Sequence, residues 1–522
     1  MGDQTGSPVD GIISYIRTRD IECILAADIE TTAKSEIFAN ICRINVLYMI
    51  ARAGSGHLGS SFSSLDIVSQ LLLNEVFSSE PELSDAIYFS SKGHDVPGLY
   101  SGLIGLGKLE QSLIHKLRRL NGLPGHPDIS IPFTVTNTGS LGMGVSKAKG
   151  MVKANRLSGL DQKIYLLTGD GELQEGQFWE SLPSAANHKM GEITVIVDHN
   201  KIQSDTKVEY VNSLGDLEGK FEKFGWDVYR CDGHDHRQLA DVLQKVKVKS
   251  ERPKCVIADT IKGYGVSFME KQPGQDELYQ YHSGALSNEE YFAAFRELSD
   301  SLRERLYSAG LSEPEYQECT STAIRPKKED LQSLIMAYEN LLPEYASRDS
   351  RIVALDADLI LDTGLVSFKR IYPERFIECG IAEQDMVSQA GSLALKGFLP
   401  FVHSFACFLS SRAAEQMYNN ATEKTKIVYV GSLAGVIPGG PGHSHQSLRD
   451  IALMASLPGM TVLEPSCEKD LENILDYVAN DCEQSAYIRL VSIGVDIPYG
   501  NEHCHKLVPG TGSILSRVEK HW

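Results

Sequence analysis

Two short apolar runs that end in polar residues constrain the fold more than any other feature of the chain. KIYLLTGDG has the pattern of a buried strand that ends at Gly169, and EITVIVDHN has the same pattern from Glu192 to Asn200. The stretch between them, from Gln177 to His188, has the helix-forming character of a crossover. This order predicts neighbouring parallel strands of a βαβ sheet, in which ligands bind beyond the carboxyl ends of the strands. Asp170 and Asn200 stand at two such ends.

The alternation of strand-like and helix-like stretches is interrupted once. A polar, proline-containing stretch from Leu311 to Asp330 precedes a second series that starts with RIVALDADL at Arg351. The chain has 522 residues, whereas single hydrophobic cores stop growing at about 250–300 residues. We therefore expect an α/β protein with two tandem domains of one fold, each a mostly parallel sheet with helices on both faces. The expected boundaries are 1–310, a linker at 311–330, 331–495, and a tail at 496–522.

Composition excludes several classes of partner. The formal net charge of -19 disfavours nucleic acid, whose binding depends on Lys and Arg that neutralise phosphates. The longest apolar runs fall short of the roughly 18 residues that a membrane span needs, and the start of the chain lacks the basic and apolar regions of a signal peptide. Ten scattered cysteines without a CxxC pair are typical of thiols in a reducing compartment. We expect a cytoplasmic protein that binds neither nucleic acid nor membrane.

The spacing between GDG and NKI predicts a metal site. If Asp170 and Asn200 are presented by adjacent strand ends, their side chains can share one cation with the carbonyl of Ile202. Mg²⁺ prefers six oxygen ligands, and a diphosphate and water would supply the others; Ca²⁺ is the alternative ion. Gly171 would let the backbone approach the diphosphate. A capping Asp next to an unrelated Asn is the structural alternative, and GDG alone would favour it.

GDG followed at this distance by Asn resembles the thiamine-diphosphate motif, and further motifs resemble the transketolase family over almost the whole chain. The matching strings are AGSGHLGSSFSSLDI at Ala53, SKGHDVPGLY at Ser91, PGHPD at Pro124, TGSLGMG at Thr138, GWDVYRCDGHD at Gly225, LDADL at Leu355, GIAEQDMV at Gly380, FACFLSSRAAEQ at Phe405 and HQSLRDIALM at His445. The resemblance implies a diphosphate-binding domain followed by a pyrimidine-binding domain. It also implies cleavage of a ketose donor, transfer of a two-carbon ketol unit to an aldehyde acceptor, and a homodimer with two sites at its interface.

Five histidines fall on positions that line the active-site channel in this family. They are His57, His94, His126, His282 and His445. The resemblance implies that His94 and His282 contact the diphosphate and that His57 and His445 contact the donor sugar. His57, His126, His282 and His445 would also serve catalysis, because a neutral imidazole can donate, accept and carry a proton near pH 7. Taken singly, each histidine would more often be structural.

Glu383, in GIAEQ, matches the family's carboxyl that hydrogen-bonds to the far nitrogen of the cofactor's aminopyrimidine ring. That contact favours the imino tautomer, which can take the proton from the thiazolium carbon. The family positions also imply further cofactor contacts: Phe405 and Phe408 stacked on the ring, backbone groups of Gly139 and Leu141 on its other side, and Asp358 near the thiazolium. Glu175 and Glu180 resemble carboxylates that link the two active sites of the dimer. Solvated helix positions are the alternative for these two residues.

The chain departs from the family pattern at two places. It ends where GTGSILSRVEK resembles the opening of a C-terminal domain, which a separate chain would then supply. At the donor-sugar end Arg325 is retained, but Asp362 replaces a phosphate-binding Ser and Ser492 replaces a phosphate-binding Arg. Leu433 and Pro441 replace a His and an Asp that bind donor hydroxyls. Because like unit charges about 4 Å apart repel by about 4 kcal/mol at intermediate dielectric, we expect a donor without a terminal phosphate.

Three other functions remain open from the residues. One is the catalytic subunit of a split system that delivers a two-carbon unit to a carrier protein or a specialised metabolite. A second is a reaction that starts from pyruvate, like that of deoxyxylulose-phosphate synthases. The third is a non-catalytic relative that serves as a binding subunit. Such relatives usually lose the metal ligands or the catalytic Glu, whereas Asp170, Asn200 and Glu383 are all present here.

Overall fold

The two apolar runs form neighbouring parallel strands in the computed structural model, which describes residues 9–77, 86–274, 277–321, 331–494, 496 and 506–512. The described chain divides into two units. The first unit contains residues 9–321 and the short segment 440–444, and the second contains residues 331–439 and the described residues from 445 onward. Each unit is built on its own parallel sheet.

The first unit contains a five-stranded parallel sheet and a two-stranded antiparallel ribbon. Its described strands are β1 (Gly11–Ile16), β2 (Ile87–Ser90), β3 (Ile164–Gly169), β4 (Ile193–His199), β5 (Asp227–Asp232), β6 (Lys254–Asp259) and β7 (Tyr316–Ser321). Its described α-helices are α1 (Thr18–Leu25), α2 (Thr31–Ala53), α3 (Leu58–Leu71), α4 (Val96–Gly105), α5 (Gly144–Leu157), α6 (Gly176–Asn187), α7 (Val208–Val211), α8 (Leu217–Lys223), α9 (His236–Lys247) and α10 (Asn288–Ser308). The sheet order is β2-β3-β4-β6-β5, and β1 pairs with β7.

Alternating side chains of the first sheet enter two separate cores, as expected for a strand buried on both faces. Tyr165 and Leu167 of β3 belong to one core, which also contains residues of α2, α3, α4, α9 and α10. Ile164 and Leu166 belong to the other, which contains residues of α5, α6 and α8. Helices therefore cover both faces of this sheet.

The second unit repeats this architecture with a six-stranded sheet. Its described strands are β8 (Ile352–Asp356), β9 (Phe376–Glu378), β10 (Leu399–Phe405), β11 (Val428–Ser432), β12 (Thr461–Leu463) and β13 (Ala486–Arg489). Its described α-helices are α11 (Leu334–Arg348), α12 (Ile360–Thr363), α13 (Val366–Ile371), α14 (Glu383–Leu395), α15 (Ala406–Arg412), α16 (Ala414–Thr422), α17 (Asp450–Ala455) and α18 (Glu468–Asp476). The order β12-β13-β11-β10-β8-β9 is parallel throughout, so the predicted fold class is confirmed.

The structure differs from the sequence-based boundaries near residue 311. Part of the predicted linker, Tyr316–Ser321, is strand β7, which pairs with β1 and belongs to the first unit. Tyr316 packs against Phe295 of α10, which explains why a polar stretch is held in the fold. Within the described ranges, no helix is both long and apolar enough to cross a bilayer.

Candidate functional site

The predicted metal ligands lie at the carboxyl ends of β3 and β4, which are adjacent and paired with Gly169 opposite Asp198. Asp170 follows β3, and one of its carboxylate oxygens accepts the N–H of Gly171 at 2.8 Å. Its other oxygen accepts the N–H of Lys201, so the end of β4 is tied directly to Asp170. Asn200 directs its side-chain oxygen to the N–H of Ile202 and donates its amide N–H to Asp198. The strand topology thus brings the predicted ligand residues to one edge of the sheet.

The electrostatic state of Asp170 fits a cation site. This carboxyl is 2% exposed, and burial raises its pKa to about 6, assisted by the negative charge of Asp198. A buried carboxylate gains most from a positive neighbour, because the interior screens charges weakly. Carboxylate, amide and backbone carbonyl oxygens form a set that suits Mg²⁺ or Ca²⁺ rather than a softer metal. Among the described residues, the structure contains no metal-binding group of three or more His, Cys, Asp or Glu, so other ligands would have to complete this site.

The turn after Asp170 is organised by Glu172, which the sequence analysis did not single out. This buried carboxylate accepts the Thr168 hydroxyl at 2.7 Å, the Gly142 N–H at 2.8 Å and the Ser91 hydroxyl. Glu172 therefore fixes the loop that carries Leu141 against the turn that begins with Gly171. Glu175 is also buried, at 5% exposure, and precedes α6, whereas Glu180 is exposed on that helix.

Four of the five predicted histidines gather in the first unit. The His57 ring centre lies 5.3 Å from that of His94, 5.7 Å from that of His126 and 5.3 Å from that of His282. The rings of His94 and His282 are also 5.3 Å apart. His445 belongs to the second unit and is described there.

All four imidazoles of this cluster are neutral. Burial is the largest cause that lowers the pKa of each ring, to about 3 for His126 and well below the usual value for His57, His94 and His282. Their hydrogen-bond partners also assign the tautomers. Nδ1 of His94 faces the Lys92 carbonyl at 2.9 Å and Nδ1 of His126 faces the Pro441 carbonyl at 2.7 Å, so both nitrogens donate.

Two cations that the sequence analysis missed assign the other pair of tautomers. Lys262 Nζ lies 3.1 Å from Nδ1 of His282, and Arg118 Nη2 lies 3.4 Å from Nδ1 of His57. Because both cations can only donate, these Nδ1 atoms accept, and Nε2 carries the proton in His57 and His282. The cluster therefore offers two Nε2–H donors and, from His94 and His126, two Nε2 acceptors.

Gly139 lies where the backbone passes close to the histidine cluster. Its φ of +117° is in a region that favours glycine, and a Cβ would lie 2.8 Å from both the His126 ring and the Ser444 hydroxyl. Ser444 belongs to the segment 440–444 that is part of the first unit. A side chain at Gly139 would therefore collide with both neighbours, so this close packing requires glycine.

In the second unit, Glu383 is the first residue of α14 and is 3% exposed. Arg412, at the end of α15, places Nη1 at 3.3 Å from Oε1 and 3.1 Å from Oε2 of this carboxyl. Its guanidinium carbon also lies 5.3 Å from the centre of the Phe408 ring. Arg412 lies within the string FACFLSSRAAEQ, but the sequence does not show that its partner is Glu383, so this contact was not predicted.

The predicted stacking residues form a group of three rings in the second unit. The rings of Phe405 and Phe408 are 5.9 Å apart, and His445 contacts both edge-on, at 5.8 and 5.1 Å. Phe405 ends β10 and Phe408 lies one turn into α15, which explains their proximity. The structure therefore brings His445 to the phenyl rings.

Asp358 lies in a group of carboxyls at the ends of β8 and β9. It is 4% exposed, has a φ of +60°, and its N–H donates to Glu378 at 2.9 Å. Burial raises the pKa of Asp356 to about 7 and raises that of Glu378 well above its usual value, and charges within the group add to both shifts. Asp362 lies in α12, and burial raises its pKa to about 6. Burial thus raises the pKa of three acid groups at this end of the second unit, Asp356, Asp362 and Glu378.

The remaining residues predicted at the donor-sugar end lie at different places in the structure. Leu433 donates its N–H to the Ser492 hydroxyl at 2.9 Å, so these two residues are in contact. Pro441 lies in the segment that belongs to the first unit, where its carbonyl accepts from His126. Arg325 lies outside the described residues.

Comparison with known proteins shows that two family models match successive parts of the chain. A family model described as the thiamine-diphosphate-binding domain of transketolase matches residues 34–344, and one described as the transketolase pyrimidine-binding domain matches residues 332–491. Mouse transketolase-like protein 2 is 30% identical over 497 residues, which cover 92% of this chain and 78% of the relative. Human transketolase is 31% identical over 457 residues, with 85% and 71% covered. One of the subunits of an apulose-4-phosphate transketolase from Actinobacillus succinogenes is 35% identical over 263 residues, which cover 49% of this chain and 92% of that relative.

Proposed function

Because the chain belongs to the transketolase family, we propose that it is a thiamine-diphosphate-dependent enzyme that cleaves a ketose donor and transfers a two-carbon ketol unit to an aldehyde acceptor. The observation that carries this proposal is the retention of a complete residue set in the folded chain. Asp170 and Asn200 lie at adjacent strand ends, and Glu383 is buried and paired with Arg412, whose guanidinium lies 5.3 Å from the centre of the Phe408 ring. A relative that had lost turnover would be expected to lose some of these residues.

The residues proposed to hold the cofactor form a metal and diphosphate group and a pyrimidine group. Asp170, Asn200 and the Ile202 carbonyl would bind Mg²⁺ or Ca²⁺, which in turn would bind the diphosphate. The other proposed contacts are His94, His282 and Gly171 toward the diphosphate, Gly139 and Leu141 toward one side of the pyrimidine ring, Phe405 and Phe408 toward the other, Glu383 toward its far nitrogen, and Asp358 toward the thiazolium. When bound, the thiazolium supplies a carbon nucleophile and an electron sink for the donor.

The tautomers of the histidine cluster define what each imidazole would do. The Nε2–H of His282 suits a diphosphate oxygen, and the Nε2–H of His57 suits a carbonyl or hydroxyl oxygen of the donor sugar. Nε2 of His94 is an acceptor in this tautomer, so its proposed contact with a diphosphate oxygen requires a proton on that nitrogen.

His126 presents an unprotonated Nε2, which would accept a hydrogen bond from a donor hydroxyl. Because burial holds its pKa at about 3, His126 would take that proton only where a nearby negative charge raises the pKa. His445 would contact the donor from beside the phenyl rings, and Glu175 would serve communication between the two sites of a dimer.

The donor would lack a terminal phosphate or carry a neutral or cationic group in its place. Asp362 stands at a phosphate-binding position of the family, beside the acid groups Asp356 and Asp358, whose charges act on one another. Ser492 cannot replace the charge of an arginine. Arg325 would remain the cation of this region.

The proposed assembly is a homodimer, as the resemblance implies. A second candidate function is the catalytic part of a multichain system, in which a carrier protein accepts the two-carbon unit. The observation that favours it is the similarity of 263 residues of this chain to a protein whose name calls it a transketolase subunit.

A donor screen with purified protein tests the proposed function. Thiamine diphosphate and Mg²⁺ should bind together, giving a circular dichroism band that neither produces alone. Ketoses with and without a phosphate should then be incubated with aldehyde acceptors, and the products of two-carbon transfer should be measured. Binding without cleavage of any ketose, in the presence of diverse acceptors, would favour a non-catalytic binding subunit instead.

A further inference from the structure

Arg412 joins two side chains that are proposed to hold the cofactor ring. Its Nη1 contacts both carboxylate oxygens of Glu383, at 3.3 and 3.1 Å, and its guanidinium lies 5.3 Å from the centre of the Phe408 ring. Phe408 and Arg412 are four residues apart on α15, so they share one face of that helix. The side chains of Arg412 and Glu383 are 13% and 3% exposed. Their ion pair is therefore largely shielded from water.

This contact determines the form of Glu383 in the cofactor-free protein. A guanidinium can only donate hydrogen bonds, and a positive charge at this distance favours the ionised form of a carboxyl. A carboxyl buried without a cation can keep its proton to about pH 8. Arg412 therefore favours the ionised carboxylate over the protonated acid.

Another titratable side chain near Glu383, within the described part of the second unit, is Cys407 of α15. Burial, together with the charge of Glu383, raises the pKa of this thiol to about 12, so Cys407 stays neutral and does not exchange a proton. Asp385, two residues along α14 from Glu383, is exposed and accepts a hydrogen bond from Gln389 at 2.6 Å. His445 contacts Phe408 on the same group of rings, and any proton that it exchanges is common to the wild type and to a variant of Glu383.

We propose that Arg412 is a positioning residue that holds Glu383 as an ionised carboxylate before the cofactor binds, so that binding takes up one proton from solvent. This inference rests on the proposed function. A carboxylate and an unprotonated ring nitrogen are both hydrogen-bond acceptors, so a hydrogen bond between them needs one added proton. That proton lies between Glu383 and the ring nitrogen, and no covalent bond is otherwise made or broken.

Isothermal titration of the cofactor-free protein with thiamine diphosphate in the presence of Mg²⁺ measures this proton directly. Titrations at about pH 7.5 in buffers of different ionisation enthalpy give the number of protons taken up per site. Glu383→Gln is the reference, because its amide N–H can donate to the ring nitrogen without an added proton. Subtracting its value removes protons exchanged by the diphosphate and by histidines.

The wild type should take up about one proton more than Glu383→Gln. Arg412→Gln removes the positive charge, so Glu383 should already hold its proton and the excess should fall below half a proton. Arg412→Lys keeps the charge and should retain most of the excess. A purely structural role of Arg412 would weaken binding in both variants without changing the proton count.

Two results would overturn the inference while leaving the proposed function intact. One is cofactor binding by Arg412→Gln with the same proton uptake as the wild type. The other is equal proton uptake by the wild type and Glu383→Gln, a comparison that does not depend on the Arg412 variants. Failure of the wild type to bind thiamine diphosphate at all would instead overturn the proposed function, and this inference with it.

Discussion

Donor specificity is tested most strongly by removing the charge of Asp362. This residue lies in the first turn of α12, and burial raises the pKa of its carboxyl to about 6. At pH 7.5 it is therefore mostly ionised, and below about pH 5 it is mostly neutral. Replacing Asp362 by Ser restores the residue type that the family pattern places at this position and removes one negative charge.

The expected size of the effect follows from Coulomb's law. A carboxylate about 4 Å from a phosphate charge repels it by about 1 kcal/mol in water and by about 4 kcal/mol at intermediate dielectric. Since about 1.4 kcal/mol corresponds to a tenfold change, Asp362→Ser should raise the relative use of a phosphorylated donor by about fivefold to several-hundredfold. Asp362 is partly exposed, which places the expectation near tenfold.

The assay compares kcat/KM for a pentulose phosphate with that for its unphosphorylated analogue between about pH 5.5 and 8. Repulsion needs the carboxylate, so discrimination against phosphate should be nearly full above about pH 7 and weaken as the pH falls through about 6. The phosphate itself gains a proton near pH 6, and this change is common to all variants. Asp362→Asn keeps the size of the side chain and isolates its charge, and both variants should lose the carboxylate-dependent part of the profile.

Two results would refute this reasoning. A wild type that prefers the phosphorylated donor would show that Asp362 does not control the donor end as proposed. An unchanged donor ratio in both Asp362→Ser and Asp362→Asn would show that the carboxylate never faces the substrate.

Two further predictions concern the first unit. Asp170→Ala should abolish metal-dependent binding of thiamine diphosphate, which a binding titration measures. The control is Asp161→Ala, which removes an exposed ion pair and should leave binding unchanged. Normal binding by Asp170→Ala without metal would show that the cation site lies elsewhere. Asp66→Asn should lower the free energy of unfolding by about 3–5 kcal/mol, because the buried Arg43 would lose its carboxylate partner. The pKa of Asp66 is held well below its usual value by Arg43 although burial alone would raise it, so this stabilisation should be present at neutral pH and lost as the pH falls. Asp216→Asn at an exposed helix cap should cost less than about 1 kcal/mol in the same denaturant titration, and an equal loss in both variants would contradict the ion-pair account.

The positions of Asp170 and Asn200 were predictable because they follow from chain order alone. Parallel strands joined by one crossover must place their carboxyl ends at the same edge, and the residue after each strand then lies at that edge. The same reasoning gave the fold class, since apolar runs of strand length alternate with helices in both halves of the chain. The boundary near 311 was harder, because β7 is polar and is held by its pairing with β1.

The cations that complete the site were not predictable in this way. Arg118 and Lys262 lie outside the family strings, and although Arg412 lies within FACFLSSRAAEQ, the sequence does not indicate the partner of any of the three. Lys262 and His282 are 20 residues apart, and Glu383 and Arg412 are 29 apart. Only tertiary packing brings these pairs together, so the tautomers of the histidines and the state of Glu383 required the structure.

The most direct test of the proposed catalysis is ketose cleavage by Glu383→Ala compared with Asp385→Ala. Both residues lie in the first turn of α14, but Glu383 is buried and Asp385 is exposed. With the fold and oligomeric state verified, Glu383→Ala should lose at least about a hundredfold in kcat, the range typical of a lost acid–base group, while Asp385→Ala stays within about twofold. Turnover by Glu383→Ala within tenfold of the wild type would contradict the assignment of Glu383, and with it the proposal that this chain activates thiamine diphosphate as transketolases do.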